Sequence, residues 1–387
     1  MLVIKNANVI FTDKVRNATV LCDNGKIADI VERYDEKSDD KVIDANSQYL
    51  SPGFIDVHVH GGGNKSAMST NYTDIIDMAE AHLKYGTTSI VPTTLASPIN
   101  QLKDVTLSIK EASEKSKKAN ILGLHYEGPY LSLKYKGAQS PENILNPDKN
   151  PPDELFELWN KILIMGAAPE EPGCLELGDK LKKKNIVASV AHSAASFEKV
   201  EEAVKHGYSD VTHIYNACTS CFKEGIFRVA GVVEAGLALD EITTQVIGDL
   251  RHLPKGLLKL IYKTKGVEKM YLITDGLEFA ASDIKENTVY TQENGMGVIF
   301  EDGAMKLADR SALAGSVATL RDCVRNMYKE VNIPIYEAVR MASLTPANVV
   351  GYHKQKGKIE KGYDADLLIF DNDINIKSVI TNGNIIY

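Results

Sequence analysis

The sequence has few cysteines, a deficit of positive charge and no long apolar run, and each of these shortages excludes a class of protein. Five cysteines in 387 residues are too few, and odd in number, for a disulfide framework. Lysine and arginine number 44 against 52 aspartates and glutamates, a net charge of −8, which disfavours nucleic-acid partners. No apolar stretch approaches the roughly 18 residues of a membrane span, and the first residues alternate like a strand rather than a signal peptide. We therefore expect a cytoplasmic protein with no nucleic-acid or membrane partner.

Two kinds of ligand motif are also scarce. Cys218 and Cys221 have CxxC spacing, but no second pair accompanies them, so we expect two ordinary thiols in a loop rather than a zinc site. No GxGxxG or GxxxxGK[ST] motif follows any strand candidate, so the usual phosphate cradle of an open nucleotide-binding sheet is absent.

Strand patterns occupy both ends of the chain. Segments 2–10 and 18–22 have the near-alternation of strands, and an Asn-Gly pair at 24–25 indicates a tight hairpin. The last 30 residues repeat this pattern at 365–370 and 378–387, again around an Asn-Gly turn. We therefore predict a small β-sandwich assembled from both termini, residues 1–52 plus 351–387.

The long middle of the chain, residues 53–350, alternates short apolar strands with amphipathic helical stretches, the pattern of a parallel α/β fold. Eight strand candidates recur, at 53–60, 88–95, 121–128, 161–166, 186–192, 210–215, 244–249 and 269–275. Helical stretches separate them, including 74–85, 101–117, 176–184, 197–206 and 257–265. This period predicts an α/β fold of the (β/α)8 TIM-barrel type as the catalytic domain. A doubly wound open sheet is the alternative.

Ligand-type side chains stand at the ends of these strand candidates. His58 and His60 lie two residues apart on the first one and therefore share a face. Further groups close the third, fifth, sixth and eighth candidates, namely Glu127, His192, His213 and Asp275. Barrel enzymes carry their catalytic groups at this end of the strands.

A divalent cation explains why so many imidazoles and carboxylates converge, because unpaired they would be costly to desolvate. Imidazole with carboxylate suits Zn, Fe, Co or Mn rather than Ca or Mg. A polar barrel mouth without metal is the alternative. His125 shares the face of Glu127, and we interpret it as a supporting or core residue rather than a ligand.

The sequence Pro-Gly-Phe-Ile-Asp-Val-His-Val-His-Gly at 52–61 resembles the opening signature of the amidohydrolase superfamily, metal-dependent hydrolases on (β/α)8 barrels with a flanking β-sandwich. More narrowly, nearly the whole chain resembles the N-acetylglucosamine-6-phosphate deacetylase family. This narrower resemblance is carried by His-Tyr-Glu-Gly-Pro-Tyr at 125–130, Lys-Gly-Ala-Gln at 136–139, Ala-His-Ser at 191–193, Thr-His-Ile-Tyr-Asn-Ala at 212–217, Leu-Ile-Thr-Asp at 272–275 and Leu-Ala-Gly-Ser at 313–316. Many related two-metal enzymes carry a carboxylated lysine at the end of strand four, whereas Lys161 begins that strand here.

The resemblance implies a cytoplasmic hydrolase of amino-sugar metabolism that removes the acetyl group from N-acetylglucosamine 6-phosphate. It implies one or two divalent transition-metal ions, with Glu127, His192 and His213 as principal ligands and the pair His58 and His60 for a second ion. Asp275 would act as general base towards water and then as general acid towards the amine. The implied substrate-binding residues are Gln139, Asn216, Ala217, Arg228 and His252.

Two segments depart from the family pattern. The family's Asp-Gly-x-His reads Asp-Leu-Arg-His at 249–252, and its Arg-Glu-Pro-Gly run reads Arg-Val-Ala-Gly at 228–231. In the family this arginine reaches the site of a neighbouring subunit, so we expect a homodimer. The departures leave open a deacetylase of N-acetylgalactosamine 6-phosphate or another N-acyl amide. A non-catalytic oligomeric scaffold is the remaining alternative, and the retention of all six candidate ligands argues against it.

Overall fold

The computed structural model describes residues 1–292 and 295–387. Within these ranges eight parallel strands form a closed barrel, which confirms the predicted (β/α)8 architecture. The barrel strands, numbered first to eighth along the chain, are Phe54–Val59, Thr87–Thr94, Leu124–Tyr130, Ile162–Ala167, Val187–Val190, Tyr208–Val211, Thr243–Ile247 and Met270–Ile273. Successive strands pair in parallel, and a parallel bridge between Val59 and Gly276 joins the last to the first.

Helices alternate with the strands and bury their apolar faces against the barrel in one large core cluster. Within the described residues the α-helices are Tyr72–Leu83, Ile99–Lys115, Asp153–Leu158, Cys174–Lys183, Phe197–Lys205, Val232–Ala238, Lys255–Lys269, Leu320–Arg325, Ile335–Met341 and Leu344–Val349. Shorter helical turns occupy Leu133–Tyr135, Pro141–Asn143 and Asn326–Glu330. The first three barrel strands are buried at every position, as strands covered on both faces must be.

The predicted third strand is divided in two. Asn120–Ile121 forms a short separate strand beside the second barrel strand, and the third barrel strand begins only at Leu124. The amide of Leu124 bonds to the carbonyl of Lys161, which brings the chain into register with the fourth strand. The prediction of a strand in this segment is therefore correct, but the prediction of one continuous strand is wrong.

Strands from both ends of the chain form a second, mixed sheet, as the termini predict. Its strands, called here the terminal sheet, are Leu2–Ile10, Val15–Asp23, Lys26–Val31, Lys41–Asp44, Tyr49–Pro52, Leu367–Phe370, Ile376–Thr381 and Asn384–Ile385. The predicted Asn-Gly turn is present, with φ of 48° at Asn24 and 77° at Gly25, values that suit this pair. The terminal sheet has an apolar cluster of its own.

Three small antiparallel sheets interrupt the barrel in the described residues, and the sequence analysis anticipated none of them. The first pairs Gly61–Gly62 with Lys65–Ser66 just after the first barrel strand. Phe222–Glu224 and Phe227–Val229 form an exposed hairpin between the sixth and seventh barrel strands. Thr288–Thr291, Gly297–Glu301 and Ala304–Leu307 form a three-stranded insertion sheet after the eighth strand. Among the described helices, none combines the length and apolar character that crossing a bilayer requires.

A buried ion-pair network connects the terminal sheet to the barrel. The Nζ atom of Lys356 lies 2.5 Å from Asp366 Oδ2 and 2.8 Å from Asp364 Oδ2. Asp366 also accepts a hydrogen bond at 2.8 Å from the amide of Asn382, in the turn between the last two strands of the terminal sheet, and one at 3.1 Å from the side chain of Asn120, beside the barrel. Lys356 therefore neutralises the carboxylate that bridges the two sheets.

Replacing Lys356 by methionine (Lys356→Met) leaves two carboxylates close together without their buried cation. We expect the free energy of unfolding to fall by about 3–5 kcal/mol, the usual cost of removing one partner of a buried pair. Urea denaturation measures this. The matched control is Lys180→Met, because Lys180 pairs with Asp153 at 3.0 Å on the surface, and its loss is expected to cost less than about 1 kcal/mol. Equal effects of the two substitutions would contradict a structural role for the buried pair.

Candidate metal centre

Six ligand-type side chains meet where the barrel strands end at one rim. His58 lies in the first strand, His60 directly follows it, and Glu127 lies in the third. The remaining three each stand two residues beyond the end of a strand: His192 after the fifth, His213 after the sixth and Asp275 after the eighth. These six residues are called the metal centre below. The sequence analysis named all six, and the structure brings them together.

Three members of the metal centre have left-handed backbone conformations. The φ angle is 45° at His192, 27° at His213 and 50° at Asp275. Residues other than glycine rarely adopt such angles, at a cost of about 1–3 kcal/mol each, and they cluster at functional sites. The fifth, sixth and eighth strands therefore end earlier than the sequence pattern predicts, because the chain turns sharply just where the polar side chain is presented.

Glu127 lies between two groups of histidines. Its Oε1 atom is 2.8 Å from His213 Nε2, 3.2 Å from His192 Nε2 and 3.4 Å from His58 Nε2. Its Oε2 atom is 3.2 Å from His60 Nε2. The ligand atoms of Glu127, His192 and His213 lie within 4.8 Å of one another, which makes a compact three-ligand group.

Asp275 completes a second group on the other side of Glu127. Its Oδ1 atom is 3.1 Å from His60 Nε2 and 3.4 Å from His58 Nε2, and the two Nε2 atoms are 3.2 Å apart. The ligand atoms of these three residues and Glu127 again lie within 4.8 Å of one another. Glu127 is therefore shared by both groups.

Outward hydrogen bonds set the tautomers of three of these histidines. The Nδ1 atom of His58 faces Gln245 Oε1 at 2.7 Å, that of His60 faces the carbonyl of Thr93 at 3.1 Å, and that of His192 faces the carbonyl of Tyr135 at 2.8 Å. Because each partner is an oxygen that accepts, each Nδ1 carries a proton, and in its neutral form each ring directs the lone pair of Nε2 inward.

The inward lone pairs fit a bound cation. The Nε2 atoms of His58 and His60 face each other as well as two carboxylates, an arrangement that is repulsive unless positive charge lies among them. Ligating histidines in metal sites donate their outer N–H in this same way. Buried imidazole nitrogens with carboxylate oxygens are the ligands that divalent transition metals prefer. The residues present therefore fit a metal ion of this class.

The carboxylates of the metal centre are ionised and attract positive charge. Burial opposes ionisation of Glu127, but His58 and His192 hold its pKa well below the usual range. Burial likewise opposes ionisation of Asp275, and the hydrogen bond with His60 nevertheless lowers its pKa to about 2. Burial alone would lower the pKa of His60, yet its bonds to Asp275 and Glu127 raise it to about 10. This part of the rim therefore attracts positive charge.

A cavity of about 480 Å³ opens onto the metal centre. Four predicted substrate-binding residues line it, namely Gln139, Asn216, Ala217 and His252. The amide of Gln139 also donates to Glu127 Oε2 at 2.7 Å and accepts from the amide of Ala96 at 2.9 Å, so this side chain orients the shared carboxylate.

Arg228 lies apart from the other predicted residues. It is exposed on the hairpin and is not among the residues that line the cavity, so within one chain it does not reach the metal centre. His125, by contrast, is buried in the third barrel strand with its Nδ1 atom 2.9 Å from the carbonyl of Val57. Cys218 and Cys221 are free thiols, the first partly buried and the second exposed.

His252 presents its imidazole ring to the cavity. The carboxylate of Asp249 accepts the Nδ1 proton of His252 at 2.7 Å and its main-chain N–H at 2.9 Å. Burial lowers the pKa of His252, but the bond to Asp249 outweighs it and the pKa is raised overall. The altered segment 249–252 therefore keeps its aspartate–histidine pair.

Several residues at the site were not anticipated from the sequence. Thr93 and Tyr135 contribute main-chain carbonyls, for which no side-chain signal exists. Gln245 and Asp210 are polar residues within otherwise buried strands, and that contrast was the available signal. Leu313 belongs to the segment that follows the insertion sheet and forms part of the cavity wall.

Comparisons with known proteins agree with this geometry. The model of the amidohydrolase family matches residues 49–386. The chain belongs to the amidohydrolase family. The N-acetylglucosamine-6-phosphate deacetylase of Bacillus subtilis (strain 168) is 32% identical over 397 residues, which cover 100% of this chain and 97% of that protein. The N-acetylgalactosamine-6-phosphate deacetylase of Escherichia coli O157:H7 is 28% identical over 363 residues, covering 93% of each chain.

A solved structure shares both fold and sequence with this amidohydrolase. The N-acetylglucosamine-6-phosphate deacetylase from Pasteurella multocida superposes with a TM-score of 0.91 at 31% identity, covering 100% of this chain and 99% of that one. The resemblance inferred from the motifs is therefore confirmed, and so is the barrel flanked by a β-rich unit.

Glu127→Gln removes the charge shared by the two ligand groups. We expect the affinity for the metal ion to fall at least about 100-fold, because mutation of even a residue that only hydrogen-bonds to a metal ligand lowers metal affinity 10–100-fold. The metal content of the purified protein, measured by elemental analysis, should fall accordingly. The control is Glu198→Gln on a surface helix, which should retain the metal. Wild-type metal content in Glu127→Gln would show that Glu127 is not a ligand.

Proposed function

We propose that this amidohydrolase removes the acetyl group from N-acetylglucosamine 6-phosphate to give glucosamine 6-phosphate and acetate. The observation that carries the proposal is the convergence of the Nε2 atoms of His192 and His213 on Glu127 Oε1, next to a cavity that also contains Asp275 and His252. The relatives named above, which extend over nearly the whole chain, support the choice of substrate.

Glu127, His192 and His213 are the proposed principal ligands, and His58 and His60 provide for a second ion with Glu127 and Asp275. A divalent transition metal of the Zn, Fe, Co or Mn class supplies activation of water at neutral pH and polarisation of the amide carbonyl. The residues themselves fix the geometry, since outward hydrogen bonds hold His58, His60 and His192 with their lone pairs inward.

Asp275 is the proposed general base and general acid. Its carboxylate lines the cavity and is ionised, so it is able to accept a proton from the attacking water. As the carbon–nitrogen bond breaks, the same carboxyl group returns the proton to the leaving amine, while the hydroxyl remains on the acetyl carbon. One residue thus carries the proton from nucleophile to leaving group.

The substrate's phosphosugar is proposed to bind in the cavity beside the metal centre. His252, whose pKa is raised by its hydrogen bond to Asp249, is the proposed donor to sugar oxygens. Asn216, Ala217 and Lys134 also line the cavity, and Asn216 and Ala217 are proposed to hold the phosphate. Gln139 would contact the substrate while orienting Glu127.

Acetate released from N-acetylglucosamine 6-phosphate by the metal-loaded protein tests the proposal. We expect release of one acetate per glucosamine 6-phosphate, and Asp275→Asn should lower kcat by about 10²–10⁴-fold because it removes the proton carrier. The control Asp153→Asn alters a surface carboxylate and should leave kcat unchanged. Absence of acetate, or full activity of Asp275→Asn, would contradict the proposed mechanism.

N-Acetylgalactosamine 6-phosphate is the second candidate substrate, because the relative from Escherichia coli O157:H7 is a deacetylase of that sugar. The two sugars differ at one hydroxyl, and a pocket built to bond that hydroxyl discriminates strongly. The ratio of kcat/KM for the two substrates, measured in the same acetate assay, decides between them.

A homodimer is also part of the proposal. Arg228 lies beside exposed apolar side chains of the hairpin, since Ile226 is 86% exposed, Phe227 71% and Phe222 40%. Large apolar groups grouped on a surface mark an interaction site. A second copy of the chain bound to the hairpin would bury these apolar side chains and bring Arg228 to the phosphate site of that second copy. A guanidinium group is well suited to bind phosphate.

Phe227→Glu and Arg228→Ala separate the two roles of the hairpin. We expect Phe227→Glu to shift the protein towards monomer in sedimentation velocity, because a charge replaces buried apolar area. Arg228→Ala should remain dimeric and raise KM for the phosphosugar about tenfold or more. Leu260→Glu, on a surface helix, is the control and should alter neither. An unchanged KM for Arg228→Ala would show that Arg228 does not bind the phosphate of the substrate.

Two broader features belong to the same proposal. We divide the chain into a β-rich domain of residues 1–52 plus 351–387 and a catalytic domain of residues 53–350, a division that the separate apolar cluster of the terminal sheet supports. A cytoplasmic location is supported by the five cysteines, all of which are free thiols, since a reducing compartment preserves them.

A further inference from the structure

A chain of buried polar groups runs inside the barrel directly beneath the metal centre. Gln245, in the seventh strand, and Asp210, in the sixth, are both completely buried. The amide nitrogen of Gln245 donates to Asp210 Oδ2 at 2.8 Å, and its oxygen accepts the Nδ1 proton of His58 at 2.7 Å. His58 is therefore connected to Asp210 through a single amide group.

Asp210 is surrounded by donors. Besides Gln245, three hydroxyl groups bond to its carboxylate: that of Ser189 at 2.8 Å, that of Thr243 at 2.6 Å and that of Tyr271 at 3.0 Å. A carboxylate accepts hydrogen bonds and offers no donor of its own. The amide of Gln245 must consequently present its NH2 group to Asp210 and its oxygen to His58.

This dependence distinguishes His58 from two other members of the metal centre. His60 and His192 direct their Nδ1 protons to main-chain carbonyls, those of Thr93 and Tyr135, which accept and never donate. The partner of His58 is a side-chain amide, which is able either to accept or to donate. If the amide of Gln245 turned over, its NH2 group would face His58 and favour the tautomer that has its proton on Nε2.

We propose that Asp210 and Gln245 are positioning residues that fix the tautomer of His58 and thereby set the metal affinity of the group formed by His58, His60, Glu127 and Asp275. The Nε2 atom of His58 lies 3.2 Å from His60 Nε2 and 3.4 Å from Glu127 Oε1, so a proton there would occupy the space for the cation. The inference rests on the metal centre of the proposed function and is independent of the substrate.

Gln245→Met tests the role of the amide, because methionine fills a similar volume without accepting the Nδ1 proton. We expect the affinity for Zn²⁺ at the His58 group to fall about 10–100-fold, while the group of Glu127, His192 and His213 keeps its ion. Competition between the full-length protein and a chromogenic chelator measures both affinities and the stoichiometry. Thr345→Val is the matched control, since it deletes a buried hydrogen bond, 2.6 Å to the carbonyl of Val267, away from the metal centre.

A double variant that exchanges the carboxylate and the amide of residues 210 and 245 distinguishes an effect on the orientation of the His58 hydrogen bond from a simple loss of packing. In the double variant Asp210→Asn with Gln245→Glu, the introduced carboxylate accepts from His58, and the introduced amide donates to that carboxylate. The bond at His58 and the bond between residues 245 and 210 are both retained, and the direction at His58 is preserved. Ser189 loses Asp210 Oδ2 as an acceptor but keeps Thr212 Oγ1 as a partner at 2.6 Å. We expect this variant to recover most of the Zn²⁺ affinity that Gln245→Met loses.

Wild-type Zn²⁺ affinity and stoichiometry in Gln245→Met would overturn the proposal. So would a double variant that binds Zn²⁺ as weakly as Gln245→Met while its thermal unfolding matches that of Thr345→Val. Because the readout is metal binding, a failure of the deacetylase assay alone leaves this inference standing and would instead overturn the choice of substrate.

Discussion

The carboxylate of Glu127, placed within 3.4 Å of four histidine nitrogens, is the constraint from which the barrel mouth follows. Negative charge and inward lone pairs at one buried point require a cation. The candidate ligands converge because the barrel strands end at one rim. The left-handed backbone at His192, His213 and Asp275 turns the chain at that rim. Three of the strained backbone positions thus belong to the metal centre.

The interior of the barrel supports this mouth with polar groups as well as apolar packing. Parallel strands covered on both faces usually present apolar side chains inward. Here Asp210 and Gln245 occupy two of those positions, and their hydrogen bonds lead upward to His58. A barrel built for stability alone has no need of a buried carboxylate without a cationic partner. Its presence is explained by the requirement for one tautomer at the rim.

Most of the fold and the candidate metal ligands could be predicted from the sequence, because strands, helices and ligand-type residues at strand ends all have local sequence patterns. All eight barrel strands overlap their predicted segments, and His58 and His60 share a face by spacing alone. What could not be predicted depends on contacts between distant residues. The partner of His58 is 187 residues away, and the insertion sheet after the eighth strand lacks the βα period that identified the barrel.

Anomalous diffraction from crystals grown with Mn²⁺, recorded near the manganese absorption edge, is the most direct measurement of whether the strand ends bind a cation. The expected result is a strong peak within about 2.5 Å of Glu127 Oε1 and of the Nε2 atoms of His192 and His213. A map with no peak among these atoms, or with manganese only at surface carboxylates, would contradict the central claim.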